Sequence, residues 1–141
     1  MILFLDTNIC LDLLDTSRPT SSKTVDWYLV HKDDTTITFH FTADAITTMY
    51  YILTERRRID PLRVVEAIDA LSTEITPFYL KQSDFIMAKN SYYEKRLDDF
   101  EDLMVLHSAV RAGSTTFVTH DTKVGNLGRF ETMTIENIRA R

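Results

Sequence analysis

Short apolar runs alternate along the chain with longer stretches in which apolar residues recur at helical spacing. The run from Ile2 to Leu5 is continuously apolar, as is typical of a strand buried on both faces of a parallel sheet. β-branched and aromatic residues predict further strands at 35–41, 74–78 and 115–119, with a small one near 132–134. Pro77 favours an edge position for the third strand because proline cannot donate to a ladder.

The segments between these runs predict helices. The first runs from a cap at Thr7 or Asn8 to a break at Arg18-Pro19, and the second covers about 20–32. The third covers about 42–57, the fourth runs from Pro61 through Leu71, and the fifth begins at a cap at Ser83. The sixth covers about 99–112 and ends at Gly113, and the last begins at about 135. Strands that alternate with helices imply right-handed crossovers and a parallel sheet. The sequence therefore predicts an α/β fold.

Composition narrows the class of protein. The chain has 141 residues and a formal charge of -5, which fits one domain over 1–141 and argues against a broad cationic DNA-binding surface. Cys10 is the sole cysteine, which excludes an internal disulfide and a zinc ribbon. The N-terminal apolar run is too short for a signal peptide, and no stretch approaches a membrane span. We expect a cytoplasmic protein without membrane contact.

Acidic residues follow the predicted strands, at the edge where parallel sheets bind ligands. They are Asp6 after the first strand, Asp44 near the end of the second, Asp121 after the fourth, and Asp99 and Asp102 on the helix that leads into the fourth. Clustered carboxylates repel one another unless a cation neutralises them, and Mg²⁺ and Mn²⁺ prefer such oxygen ligands. Each acid alone is also explained as a turn or cap residue, so the prediction of metal-assisted phosphodiester hydrolysis depends on their joint placement.

The residues around these acids resemble the motifs of PIN-domain nucleases. Leu5-Asp6-Thr7-Asn8 resembles the family's opening, Leu97-Asp98-Asp99-Phe100-Glu101-Asp102-Leu103 its third acidic motif, and Phe117-Val118-Thr119-His120-Asp121 its fourth. Tyr50-Tyr51-Ile52-Leu53 is similar to a helix of one subgroup. The resemblance covers essentially the whole chain in order.

This resemblance implies a three-layer α/β/α fold with a central parallel sheet of four to five strands. It also implies a Mg²⁺- or Mn²⁺-dependent ribonuclease, similar to VapC-like toxins that pair with an antitoxin protein. By this resemblance the metal-site acids are Asp6, Asp102 and Asp121, with Asp99 close by, and all four acids are expected to be catalytic. The residues expected to support the site are Thr7, Asn8 and Thr119.

The chain departs from the family at one position. The helix after the second strand usually supplies a Glu, and Thr48 stands there instead. Thr48 cannot provide a carboxylate ligand, although Asp44 lies one helical turn earlier on the same face and is a candidate replacement. The Tyr-Tyr-Ile-Leu subgroup often lacks this Glu, so the departure leaves both an active and an inactive site open.

Basic and aromatic residues supply further candidates. Arg56, Arg57 and Lys123 are candidate contacts for RNA phosphates, although a basic run at a helix end is more often simply solvated. Tyrosine pairs on helices could stack RNA bases or form core and dimer contacts, and we expect a homodimer. His120, beside Asp121, is a candidate substrate contact unless the strand points it away.

The leading hypothesis is therefore an RNA-cleaving enzyme that uses Mg²⁺ or Mn²⁺. The alternative is a degenerate, non-catalytic PIN module that binds RNA or protein, because the missing Glu weakens the metal site. A third hypothesis is a structure-specific DNA nuclease, which the small size of the chain disfavours.

Overall fold

The computed structural model describes residues 1–94 and 99–121, and the backbone alone of residues 131–133. Its strands are β1 (Ile2–Leu5), β2 (Thr38–Thr42), β3 (Thr76–Phe78), β4 (Thr116–Val118) and β5 (Glu131–Met133). Its helices are α1 (Thr7–Leu14), α2 (Ser21–His31), α3 (Ala45–Tyr51) with a π-helical continuation (Ile52–Arg56), α4 (Pro61–Glu74), α5 (Gln82–Tyr93) and α6 (Phe100–Arg111). The helix predicted from about 135 and the candidate phosphate contact Lys123 lie outside the described residues.

The five strands form one parallel sheet in the order β3-β2-β1-β4-β5. β1 lies at the centre, where Leu5 pairs with Phe41 of β2 on one side and with Val118 of β4 on the other. This arrangement confirms the predicted α/β class and its three layers. It also brings the carboxyl ends of β1, β2 and β4 to one edge of the sheet.

Side chains of β1 alternate between the two faces of the sheet, and each face carries its own apolar core. Leu3 and Leu5 are buried in the larger core, which the first four helices cover. Phe4 faces the smaller core under α6, where its ring stacks on Phe117 with centroids 6.1 Å apart. Full burial of such a side chain contributes about 1.5–3 kcal/mol, so the central strand is held from both sides.

Several predicted element ends are confirmed. Pro61 is the first residue of α4, and the Asp60 carboxylate caps that helix by accepting from the Arg63 N–H at 3.3 Å. Pro77 lies in β3, which is an edge strand. Gly113 follows α6 with φ +77°, a left-handed conformation that glycine adopts without strain. No helix in the described ranges is both long and apolar enough to cross a membrane.

Three predicted element starts are wrong. The third helix begins at Ala45 rather than Thr42, because the Ala43 N–H donates to the Phe78 carbonyl at 2.9 Å and prolongs the strand region. Ser83 does not cap α5, which begins one residue earlier, and the Asp84 carboxylate accepts from the Lys81 N–H at 2.9 Å instead. The first helix is capped by Asp6, not by Thr7 or Asn8.

Candidate functional site

Asp6 stands where β1 ends and α1 begins. Its backbone N–H donates to the Val118 carbonyl at 2.9 Å, which continues the pairing of β1 with β4 by one residue. Its carboxylate oxygen Oδ1 accepts from the Thr7 N–H at 2.8 Å and so caps the helix. Thr7 therefore steadies Asp6 through its backbone, whereas the Asn8 side chain is exposed.

Thr119 links the two acids at the ends of β1 and β4. Its buried hydroxyl donates to Asp6 Oδ2 at 2.7 Å and accepts from the Asp121 N–H at 3.0 Å. A single hydroxyl can make both bonds because it carries one donor and two acceptor sites. The structure therefore brings Asp6, Thr119 and Asp121 together, as the sequence predicted for the ends of neighbouring parallel strands.

The start of α6 adds two more acids. Asp99 caps the helix by accepting from the Asp102 N–H at 3.1 Å, and Asp102 follows in the first turn. Burial, together with the negative charges of Asp99, Asp6, Asp121 and, last, Glu101, raises the pKa of Asp102 to about 6. Five carboxylates from three parts of the chain therefore share one electrostatic environment.

Burial also raises the pKa of Asp6 above its usual range. The hydrogen bonds from Thr119 and Thr7 oppose this shift, and the charge of Asp121 adds to it. Without a cation, burial therefore makes the ionised forms of Asp6 and Asp102 costlier than those of exposed aspartates. This is the behaviour expected of carboxylates that are placed to share a positive ion.

Asp44 stands apart from this group. It precedes α3 with an exposed side chain that makes no capping hydrogen bond, and it is not among the main charges acting on Asp6 or Asp102. Thr48 lies one turn further along α3 and is partly buried. The replacement of the family's Glu by Asp44 stays a prediction.

The basic candidates have partners within the protein. Arg57 donates to Asp15 with a 3.0 Å Nε–Oδ2 contact and also to the Ser17 hydroxyl. The Arg56 guanidinium lies 6.0 Å from the centre of the Tyr51 ring. Both arginines remain exposed, so a phosphate contact is compatible with these interactions and stays a prediction.

A second polar cluster next to the site was missed by the sequence analysis. Asp12 of α1 is completely buried and accepts from His120, the residue between Thr119 and Asp121, at 2.6 Å. The available signal was an acidic residue inside an otherwise apolar helix start, Ile9-Cys10-Leu11-Asp12-Leu13-Leu14. The bond directs Nε2 of His120 to Asp12. The predicted contact of His120 with a substrate stays a prediction.

The donor chemistry of the site fits a hard divalent cation. Asp6, Asp102 and Asp121 offer carboxylate oxygens, the ligand type that Mg²⁺ and Mn²⁺ prefer, and their mutual repulsion would be relieved by a positive ion. Within residues 1–94 and 99–121, however, no three His, Cys, Asp or Glu side chains stand in an arrangement that could hold a metal ion. The side chains would therefore have to converge on binding.

Raising the pH is expected to destabilise the metal-free protein through Asp102. Because its folded-state pKa of about 6 lies above the ordinary value of 3.8, its contribution to stability is complete below pH ~4 and is lost as the pH rises through ~6. Asp102→Asn is permanently neutral. It should match the wild type near pH ~4 and be more stable at pH ~7, by on the order of 1 kcal/mol after allowance for solvent screening.

Thermal unfolding of the metal-free proteins between about pH 4 and 7.5 measures this difference. Glu101→Gln is the matched control: Glu101 is exposed on the same helix turn, and its charge is the weakest of the four that act on Asp102, so this variant should change the profile much less. A difference in stability between Asp102→Asn and wild type that stays constant across the pH range would contradict the raised pKa of Asp102.

A family model described as PIN domain matches residues 3–123. Solved structures of similar fold include VapBC2 from Rickettsia felis bound to a DNA fragment from their promoter, with 12% identity, TM-score 0.73 and coverage of 95% of this chain and 98% of that one. Another is Mycobacterium tuberculosis VapC20, a sarcin-ricin loop cleaving toxin, with 16% identity, TM-score 0.72 and coverage of 89% and 95%.

VapBC-1 from nontypeable Haemophilus influenzae is similar as well, with 16% identity, TM-score 0.71 and coverage of 96% and 99%. At these identities the likeness shows a shared fold. No curated protein matches the sequence significantly.

Proposed function

The chain belongs to the PIN-domain family, and from this we propose that it is an endoribonuclease that hydrolyses RNA phosphodiester bonds with Mg²⁺ or Mn²⁺ at the Asp6–Asp102–Asp121 site. The observation that carries the proposal is the raised pKa of Asp102, which burial and four neighbouring carboxylates produce together. Acids held in this way are costly for a fold and are typical of functional sites.

Each residue of the chain has a distinct role in this proposal. Asp6, Asp102 and Asp121 would hold the ion, with Asp99 beside them. The ion would supply the activation of a water and the neutralisation of phosphate charge that phosphodiester hydrolysis needs. Thr119 and the Thr7 N–H bond the two oxygens of Asp6 and so fix the plane of its carboxylate.

The acidic composition of the chain is compatible with an RNA substrate. Setting aside the five candidate site acids Asp6, Asp44, Asp99, Asp102 and Asp121 leaves 16 acids against 16 bases. A bound cation would also reverse the charge at the cleft itself. RNA binding should accordingly be weak when divalent ions are removed, with Arg56, Arg57 and Lys123 as the candidate phosphate contacts.

We propose further that the protein acts as a toxin with an antitoxin partner and that it forms a homodimer in the cytoplasm, as one domain over 1–141. The VapC20 toxin and the VapBC structures share its fold, which supports a partner protein. The described surface also offers an apolar groove of about 460 Å³ between α1, α2 and α4, beside the exposed Leu29. Such a groove is suited to apolar side chains of a partner.

Cleavage of RNA by the purified protein tests the enzymatic proposal. Wild type should cut RNA with Mn²⁺ or Mg²⁺ and stop when EDTA is added. Asp102→Asn should lose more than about 100-fold of this activity, whereas Glu101→Gln, which removes an exposed acid from the same helix turn, should retain it. Cutting that persists in EDTA, or equal activity of the two variants, would overturn the proposal.

The second candidate function is a non-catalytic binding module. Thr48 at the position of the family's Glu favours it, as does the lack of a preformed metal arrangement in the described residues. Calorimetric titration with Mn²⁺ separates the two functions. Heat of binding that disappears in Asp121→Asn supports the nuclease, and no binding supports the module.

A further inference from the structure

Asp12 is the centre of a buried polar cluster that joins α1 and α2. Its carboxylate is completely buried, and three of its hydrogen bonds come from the segment that follows it in sequence. Arg18 Nε and Thr20 Oγ1 each donate to Oδ1 at 2.8 Å, and Thr24 Oγ1 donates to Oδ2 at 2.7 Å. These local bonds alone would fix the turn between the two helices.

The fourth donor comes from a distant part of the chain. His120 Nε2 lies 2.6 Å from Asp12 Oδ2, across a sequence separation of 108 residues. Burial would raise the pKa of Asp12, but the hydrogen bonds from Arg18, His120 and Thr24 lower it below its ordinary value. The carboxylate is therefore ionised and can only accept, so His120 Nε2 carries the proton and donates it.

His120 belongs to the segment 119–121, which follows the end of β4. In this segment Thr119 donates to Asp6, His120 donates to Asp12, and the Asp121 N–H donates to Thr119. Both acceptor acids are carried by α1, Asp6 as its cap and Asp12 six residues later. At 1.5 Å per residue these two attachment points are about 9 Å apart along the helix.

Two attachment points constrain the segment in a way that one cannot. The Thr119 bond ties this segment to Asp6, at the start of α1. The His120 bond adds a second fixed point on the same helix, with Asp121 directly after it. The direction in which the chain carries Asp121 is thereby set by α1.

We propose that His120 is a positioning residue of the carboxylate site, which fastens the segment 119–121 to α1 through Asp12. It acts through Asp121 and Thr119 and does not itself touch the ion or the substrate. This inference rests on the proposed function for its catalytic consequence, while the fastening itself is a property of the metal-free protein.

Two variants of His120 and one matched control test the proposal. His120→Ala removes the donor, and His120→Gln restores an N–H at a similar distance from the backbone. His40→Ala is the control: His40 is also a partly buried histidine, but it lies on β2, where its Nδ1 is 3.2 Å from the Thr76 carbonyl and its ring contacts Phe78.

Two readouts are needed, one without metal. In metal-free protein, well below the melting temperature, hydrogen exchange of the Asp121 amide should accelerate in His120→Ala and return towards wild type in His120→Gln. Mn²⁺ affinity by calorimetry should fall about 10–100-fold in His120→Ala, as is usual when a group behind the ligands is lost, and recover in His120→Gln. His40→Ala should change neither quantity.

The outcomes separate this proposal from the proposed function. A lower melting temperature for His120→Ala, with Asp121 exchange and Mn²⁺ affinity unchanged, means a purely structural histidine and overturns the proposal. If wild type binds no Mn²⁺, the proposed function fails and the exchange result alone decides: faster exchange in His120→Ala supports the fastening, and unchanged exchange refutes it.

Discussion

Replacing Asp6 with Asn is expected to eliminate Mn²⁺ binding and to reduce RNA cleavage by more than about 100-fold, while the metal-free protein melts at a higher temperature. The two effects have the same origin. Burial raises the pKa of Asp6, so at neutral pH the fold carries a carboxylate charge that it would hold more easily as the neutral acid. Asn supplies a permanently neutral side chain of the same shape.

The fold should accept this substitution because Asn can satisfy both local contacts. Its carbonyl oxygen can accept from the Thr7 N–H, as Asp6 Oδ1 does now at 2.8 Å. Its amide can donate to Thr119 Oγ1, which has a second lone pair besides the one that accepts from Asp121. The helix cap is therefore retained while a charged ligand is lost.

Differential scanning calorimetry with and without Mn²⁺ measures both effects in one protein sample. Wild type should gain thermal stability from Mn²⁺ through binding to the folded state, and Asp6→Asn should gain none. Asp69→Asn, at an exposed position of α4, is the matched control and should behave as wild type. A variant that melts lower than wild type, or that still binds Mn²⁺, would contradict this account of Asp6.

Replacing Asp12 with Ala is expected to lower the free energy of unfolding by about 3–5 kcal/mol, the range for removing one partner of a buried ion pair. Arg18 and His120 would lose the carboxylate that they share, and the buried Thr24 hydroxyl would lose its acceptor. Losses of this size are exceptional for a single substitution and come from a short list of causes, of which an uncompensated buried polar group is one.

The pH dependence of this loss has a definite sign. Because hydrogen bonds hold the pKa of Asp12 below its ordinary value, its contribution is present above pH ~4 and is lost as the pH falls. Urea denaturation should thus show a gap between wild type and Asp12→Ala that narrows in acid. Asp69→Ala should stay within about 0.5 kcal/mol of wild type, as is usual at an exposed position. A gap that widens in acid would be inconsistent with an ionised Asp12.

Local sequence was sufficient to predict most of the sheet and two of its site acids. Apolar and β-branched runs predicted the strands, and acids directly after such runs predicted Asp6 and Asp121 at one edge. The predicted start of α3 was wrong because the true start depends on the hydrogen bond from the Ala43 N–H to the Phe78 carbonyl, which exists only once β2 and β3 are paired. Local propensity carries no information about that pairing.

The polar cluster of Asp12 shows the same limit more clearly. An isolated Asp in an apolar helix indicates a buried polar group, yet its partner His120 is 108 residues away and becomes a neighbour only through the β1–β4 pairing. The role of Thr119 as a bridge between Asp6 and Asp121 likewise depends on this pairing. Residue types at strand ends can be predicted, whereas their mutual hydrogen bonds are set by the folded sheet.

The central position of β1 has a consequence for synthesis on the ribosome. Asp6 is made 113 residues before Thr119, which bonds its carboxylate. At about 5–20 residues per second, the nascent chain carries an unpaired edge of β1 and an incomplete acidic site for roughly 6–23 s. A chain interrupted before β4 lacks both Thr119 and Asp121, so the acidic site stays incomplete until these residues have been synthesised.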